Sequence, residues 1–159
     1  MSVILARVDE RLIHGQVATA WLKSYPVKLV IVVDDESAKD PLQTMVLKMA
    51  VSGTVKCEVT TVDQAGALIE KNKEKKIFLC AKSPATYLAL LKQGVEIPFI
   101  NIGVMYAKEG IKEYYSTVYL TDEEVDTILE LENYPVKVEY RMVPKSAEAD
   151  IIKDLKSKR

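Results

Sequence analysis

The chain's lone histidine, His14, is preceded by two arginines, Arg7 and Arg11, and followed by Gly15. The segment runs Val3-Ile4-Leu5-Ala6-Arg7-Val8, then Asp9-Glu10-Arg11-Leu12-Ile13-His14-Gly15-Gln16-Val17, then Ala18-Thr19-Ala20-Trp21-Leu22. It reads as a strand, a tight polar loop and a helix. The start of a helix offers unpaired N–H groups and a partial positive charge, so it holds anions readily. An imidazole at that place is a candidate nucleophile for phosphoryl transfer. Arg7 and Arg11 are the candidate clamp for the phosphoryl oxygens, helped by the backbone N–H groups of Ile13, Gly15, Gln16 and Val17. Asp9 would be repelled by a phosphate and is expected to pair with an arginine or to orient the imidazole. Each residue also has a plainer reading: His14 as a satisfied side chain beside Leu12 and Ile13, and Arg7 as a strand-end partner of Asp9 or Glu10.

Other chemistries have less to build on. No second histidine and no acidic cluster of ligand spacing accompanies His14, so no metal site is expected. A cysteine-type phosphatase needs a cysteine in this loop, and a dinucleotide site needs a glycine-rich one, whereas only Gly15 is present. No cofactor is implied.

The elements that must position this loop alternate along the chain. Expected strands are Val3–Val8, Lys28–Asp34, Lys56–Val62, Lys76–Ala81, Pro98–Ile102, Ser116–Leu120 and Val136–Met142. Continuous runs such as Leu29-Val30-Ile31-Val32-Val33 suit strands buried on both faces. Expected helices are Gln16–Ser24, Pro41–Val51, Val62–Lys71, Pro84–Gln93 and Asp122–Glu132. Asp40-Pro41, Ser83-Pro84 and Thr121-Asp122-Glu123-Glu124 are helix starts, and Gln93-Gly94 is a stop. The pattern predicts an α/β fold: an open, twisted, mostly parallel doubly wound sheet with helices on both faces. The link from Ile102 to Tyr114 is too short for a full crossover helix, so one strand after it is a candidate to run antiparallel. Ligands of such sheets gather beyond the carboxyl ends of the strands. The His14 loop, the Asp34-Asp35 end and an expected Asn101-Ile102-Gly103-Val104-Met105 turn all fall there. One of Asp34 and Asp35 is expected to cap the next helix and the other to line the crevice.

At 159 residues, one domain over 1–159 is expected, with 48% hydrophobic and 28% charged residues. The formal net charge of −1 provides no global basic field for nucleic acid or an anionic membrane. The tail Lys153–Arg159 reads as a solvated helix end. Cys57 and Cys80 lie in apolar runs and read as buried thiols of a reducing cytoplasm. No signal peptide is evident, and no apolar run approaches the roughly 20 residues of a membrane span, so direct membrane insertion is not expected.

The residues from Arg7 to Val17, with Val32-Val33-Asp34-Asp35-Glu36 and Asn101-Ile102-Gly103-Val104-Met105, carry a resemblance. They resemble the IIB component of the mannose/fructose/sorbose branch of the bacterial phosphoenolpyruvate-dependent sugar phosphotransferase system. The resemblance spans essentially the whole chain. The family often has two glycines where this chain has Gly103-Val104, and a β-branched residue resists positive φ. The resemblance implies a phosphocarrier: phospho-IIA would phosphorylate His14, and His14 would pass the group to a hexose or amino sugar entering through the IIC and IID membrane subunits. It implies Nδ1 as the phosphorylated nitrogen, a choice the sequence itself leaves open. It also implies a cytoplasmic protein held peripherally at the transporter. Asn101 and Gly103, with Asp9 and Asp34, are the supporting residues. The rival reading is a regulatory or scaffold module on the same fold, phosphorylated on histidine but feeding no sugar. A homodimer through β-branched or tyrosine-rich edges is compatible with the sequence.

Overall fold

The computed structural model describes residues 2–51 and 53–158, except for the side chains of residues 16–18. Six strands form one parallel sheet: β1 Val3–Asp9, β2 Leu29–Val33, β3 Lys56–Thr60, β4 Ile77–Ala81, β5 Phe99–Val104 and β8 Lys137–Tyr140. Their spatial order is β3-β2-β4-β1-β5-β8. Two further strands, β6 Lys112–Tyr115 and β7 Val118–Leu120, pair antiparallel as a separate hairpin. The antiparallel element foreseen after Ile102 therefore exists beside the main sheet, not inside it. Met105 joins it to the end of β5 through a bridge with Val118.

Helices cover both faces. On one lie α1 Gly15–Ser24 and α3 Pro41–Ala50, whose Trp21 and Leu47 pack with Leu5, Val30, Val32 and Phe78. On the other lie α4 Val62–Lys71, α5 Pro84–Lys92, α6 Asp122–Glu130 and α7 Ile151–Lys158, packed on Val3, Ala6, Ile31 and Leu79. Every residue of β2 is buried, and each such aliphatic side chain contributes about 1.5–3 kcal/mol relative to exposure. The expected helix starts at Asp40, Ser83 and Thr121 are all real, each side chain accepting from the first turn. The short α2 Asp35–Ala38, strand β6 and the full length of α7 were not foreseen. In α7 only Ile151 and Leu155 are fully buried, too sparse a pattern to stand out among lysines. Both cysteines are buried free thiols. No helix among the described residues is long and apolar enough to cross a membrane.

The topology singles out one strand end. β1 sends its connection to α1 on one face, whereas its neighbours β4 and β5 send theirs to the other. The divergence opens a crevice at the carboxyl end of β1, where such sheets bind ligands. The loop carrying His14 begins there.

Candidate active site at the carboxyl end of β1

Asp9, the last residue of β1, organises the loop. Its carboxylate is buried and accepts four hydrogen bonds. Oδ1 takes the Arg11 backbone N–H and Nε, both at 2.9 Å; Oδ2 takes Arg11 Nη2 at 2.9 Å and Arg7 Nη2 at 3.2 Å. The backbone turns at once, with Leu12 N–H donating to the Asp9 carbonyl at 2.8 Å. Asp9 thus pairs with both arginines and does not face outward. Its bonds hold the Arg11 guanidinium strongly protonated. The bidentate contact uses the Nε/Nη2 edge of Arg11, and among the described residues Nη1 meets no acceptor. Arg11 is partly exposed, so that group is free to bind an anion.

Arg7 is placed differently. It is 3% exposed and points into the layer beneath α1. Nη1 donates to Asn101 Oδ1 and, at 3.2 Å, to the Arg141 carbonyl. Its guanidinium lies over the Trp21 ring, 5.0 Å from the centroid, and Arg141 lies over the same ring at 5.2 Å. Burial works against the Arg7 charge and Asp9 opposes that loss. With both Nη groups engaged, Arg7 holds Asp9 from below and is no surface clamp. Tyr87 OH fixes the strand at this point by donating to the Arg7 carbonyl at 2.7 Å.

The expected turn at 101–105 is instead the second half of β5, which extends through Val104. Asn101 stands opposite Arg7 in the sheet and is fully buried. Val104 sits in extended backbone, where β-branching is favourable. The glycine that matters is Gly103: a Cβ there would overlap the Arg7 guanidinium. Gly103 is therefore the space into which Arg7 folds.

Past the Asp9 turn, Leu12 adopts φ +61° and drives its side chain into the core with Ile13. A left-handed leucine costs about 1–2 kcal/mol, sustained here by burial and the turn bond. The chain then reverses, leaving His14 exposed as the N-cap of α1. Gly15 follows at φ +50° with open space around its α-carbon, so glycine is needed for conformation and not for room. The His14 side chain makes no cap hydrogen bond. Among the described residues, no side chain accepts from the first N–H groups of α1. Gln16 and Val17 belong to this first turn, but their side chains lie outside the described residues.

Arg7, Asp9, Arg11, Asn101 and Gly103 thus converge, with His14 and Gly15 on the loop above. Asp34 does not join them. It caps α2 by accepting from Ser37 N–H at 3.1 Å and Ser37 Oγ at 2.6 Å, and it pairs with Lys82 at 3.4 Å. Asp35 ties the start of α4 by accepting from Val62 N–H at 2.8 Å. Four contributors escaped the sequence reading. Glu10 binds Tyr106 N–H and Lys108 Nζ, linking the loop to the segment after β5. Trp21, Glu139 and Arg141 complete the floor. Lys137, Glu139 and Arg141 alternate along β8 and just past its end and look like the solvent face of an edge strand, which hides the burial of Glu139 and most of Arg141.

The family comparison agrees with this architecture. Residues 3–159 match the sequence model of the family described as PTS system sorbose subfamily IIB component. The chain belongs to this family. The sorbose-specific EIIB component of Lacticaseibacillus casei is 34% identical over 154 residues, covering 96% of this chain and 94% of that protein. The mannose-specific EIIAB component of Escherichia coli K12 is 32% identical over 159 residues, covering 96% of this chain and 49% of that longer protein. The crystal structure of the IIBSor domain of the sorbose permease from Klebsiella pneumoniae superposes with a TM-score of 0.94 at 28% identity, covering 100% of this chain and 99% of that one. As a IIB component the chain is a phosphotransferase of the sugar phosphotransferase system, transferring phosphoryl groups to sugars, with a IIA donor and IIC and IID partners implied by the family.

Proposed function

We propose that His14 is the transient phosphocarrier of this IIB component. The observation that carries the reading is the exposed imidazole on the uncapped first turn of α1, with Arg11 held beside the loop by Asp9. A neutral ring nitrogen of His14 attacks the phosphorus of a phosphohistidine on the IIA protein. The donor's P–N bond breaks as the new one forms. The donor imidazole takes up a proton while His14 releases the one on its other ring nitrogen. In the second step a sugar hydroxyl attacks phosphorus, its proton passing in net terms to the His14 imidazole as the P–N bond breaks. The protein's part is positioning and charge stabilisation, which dominate catalysis of phosphoryl transfer.

Arg11 Nη1 and the backbone N–H groups of Ile13, Gly15, Gln16 and Val17 receive the phosphoryl oxygens. Arg7 holds Asp9, and Asp9 presents Arg11. Asn101 and Gly103 hold Arg7 in turn, and Asp34 shapes a neighbouring strand end. The clamp must stay moderate, since one that bound the phosphoryl group too tightly would slow its departure. Residues 1–159 act as one carrier domain in the cytoplasm, docking on the IIC and IID subunits, with sorbose, mannose, fructose and N-acetylgalactosamine among the sugars named for its relatives.

Intact mass after incubation with phosphoenolpyruvate, enzyme I, HPr and a IIA protein tests the assignment. One acid-labile phosphoryl group on the wild type and none on His14→Ala is the expected result. An adduct that persists in His14→Ala overturns it.

A further inference from the structure

Strand β8 buries a carboxylate on the edge of the sheet. Glu139 is 1% exposed, and its Oε1 accepts from Asn101 Nδ2 at 3.2 Å and from Arg141 Nε at 2.9 Å. Its Oε2 is buried with no hydrogen-bond partner among the described residues. A buried carboxylate at the sheet's margin is an expensive way to fill space, because burial penalises its charge and an apolar residue of similar size would avoid that penalty.

What the carboxylate does can be read from the Asn101 amide. An amide has a donor end and an acceptor end. Here Nδ2 is taken by Glu139 and, at 3.0 Å, by the Arg141 carbonyl, which turns Oδ1 toward Arg7 Nη1. The flipped amide would set NH2 against the guanidinium and oxygen against two acceptors. Glu139 therefore dictates which way Asn101 faces. It also fixes Arg141, whose guanidinium covers Trp21 and bonds Tyr25 OH at 3.2 Å and the Pro144 carbonyl at 2.9 Å. The contacts continue from Asn101 through Arg7 to Asp9, and from Asp9 to Arg11.

We propose that Glu139 is a positioning residue for phosphoryl transfer: through the Asn101 amide, Arg7 and Asp9 it sets the angle at which Arg11 meets the phosphoryl group on His14. This rests on the reading of His14 as the carrier. It adds a residue on the far edge strand, separated from β1 by β5, to the machinery of the loop.

The groups facing Glu139 are Asn101 from β5, Arg141 just past the end of β8, and Glu148 from the segment that returns along β8; Arg7 from β1 stands behind Asn101. Lys137 holds Glu148 at 3.0 Å and keeps it ionised. Burial, followed by the Glu148 contact, pushes Glu139 up to about 7, against the pull of Arg141 and Asn101. A folded value above the ordinary 4.5 means that ionising Glu139 costs stability as pH rises through that interval. The ionised form grips Arg141 and Asn101 with full charge, and the protonated form only as a neutral acceptor.

The test is single-turnover phosphoryl transfer, from phospho-IIA to this protein and onward to sugar with IIC/IID membranes, for the wild type, Glu139→Gln and Glu139→Ala. Glu139→Ala should slow transfer by about 10-fold or more while leaving the concentration dependence on IIA unchanged, since the loop is misaligned and the docking surface is untouched. Glu139→Gln keeps an acceptor and should retain the rate within about 3-fold, but flatten the rise between about pH 6 and pH 8. The difference between the two profiles reads Glu139. Val138→Ala, buried in the opposite layer, controls for lost stability and should leave the rate unchanged. A folded Glu139→Ala within about twofold of the wild-type rate overturns the proposal, as does a Gln profile that superimposes on the wild type. If Glu139→Ala does not fold, the Gln profile decides. A phosphoryl group mapped to a residue other than His14 would instead overturn the carrier reading, a separate outcome of the same experiments.

Discussion

Helices α1 and α6 start in opposite ways. At α6 the N-cap Thr121 accepts from Glu124 N–H at 3.1 Å, and Glu124 reaches back to Thr121 N–H at 3.0 Å, a reciprocal capping box with three acids in the first turn. At α1 the N-cap is His14, whose side chain caps nothing, and the first turn holds no acid. The starts of α2, α3, α4 and α5 follow α6, capped by Asp34, Asp40, Thr61 and Ser83. A capped start uses its N–H donors for stability, whereas an open start keeps them for a ligand. What the open start forgoes locally is offset beneath it, where Asp9, Arg7 and Asn101 are tied together and buried.

Giving α1 a cap breaks the contrast most completely. His14→Ser should abolish phosphoryl acceptance, seen by intact mass, and raise stability by about 0.5–1 kcal/mol in urea unfolding, because serine caps what histidine leaves open. A stability loss instead would mean that the imidazole holds the loop. Removing the hub is next. Asp9→Ala leaves the buried Arg7 charge without its carboxylate and should cost about 3–5 kcal/mol, read from the urea midpoint. Arg11→Ala should slow transfer by about 100-fold, equivalent to about 2.7 kcal/mol of barrier, while changing stability by less than about 1 kcal/mol. Equal losses in rate and stability would make Arg11 a structural residue. Gly103→Ala should destabilise by about 1–3 kcal/mol, because Arg7 must move away from the new methyl group. Thr121→Ala is the smallest change: about 1 kcal/mol of stability from the sealed helix start and no change in transfer. A transfer defect there would show that α6 communicates with the loop.

The elements were legible where local chemistry is decisive. Leu29–Val33 announces a buried strand by composition, and Asp40-Pro41 and Ser83-Pro84 announce helix starts by capping chemistry. The 101–105 segment was misplaced because Asn101 and Gly103 are turn formers in isolation. Pairing with β1 on one side and β8 on the other overrides that preference. Glu139 and Arg141 were illegible for a related reason: alternating charge beside valine looks the same whether the polar face meets water or meets Trp21 and Asn101.

By itself the sequence determined the parallel α/β alternation, the helix starts, and a loop in which histidine, arginines and a glycine precede a helix. Those depend on residue type and on neighbours a few positions away. Only the tertiary structure decided that the two arginines differ, with Arg7 drawn under the loop into the space left by Gly103 and Arg11 left partly open at the rim. That division is made by contacts reaching from residue 7 to residues 101 and 141, which no local pattern encodes.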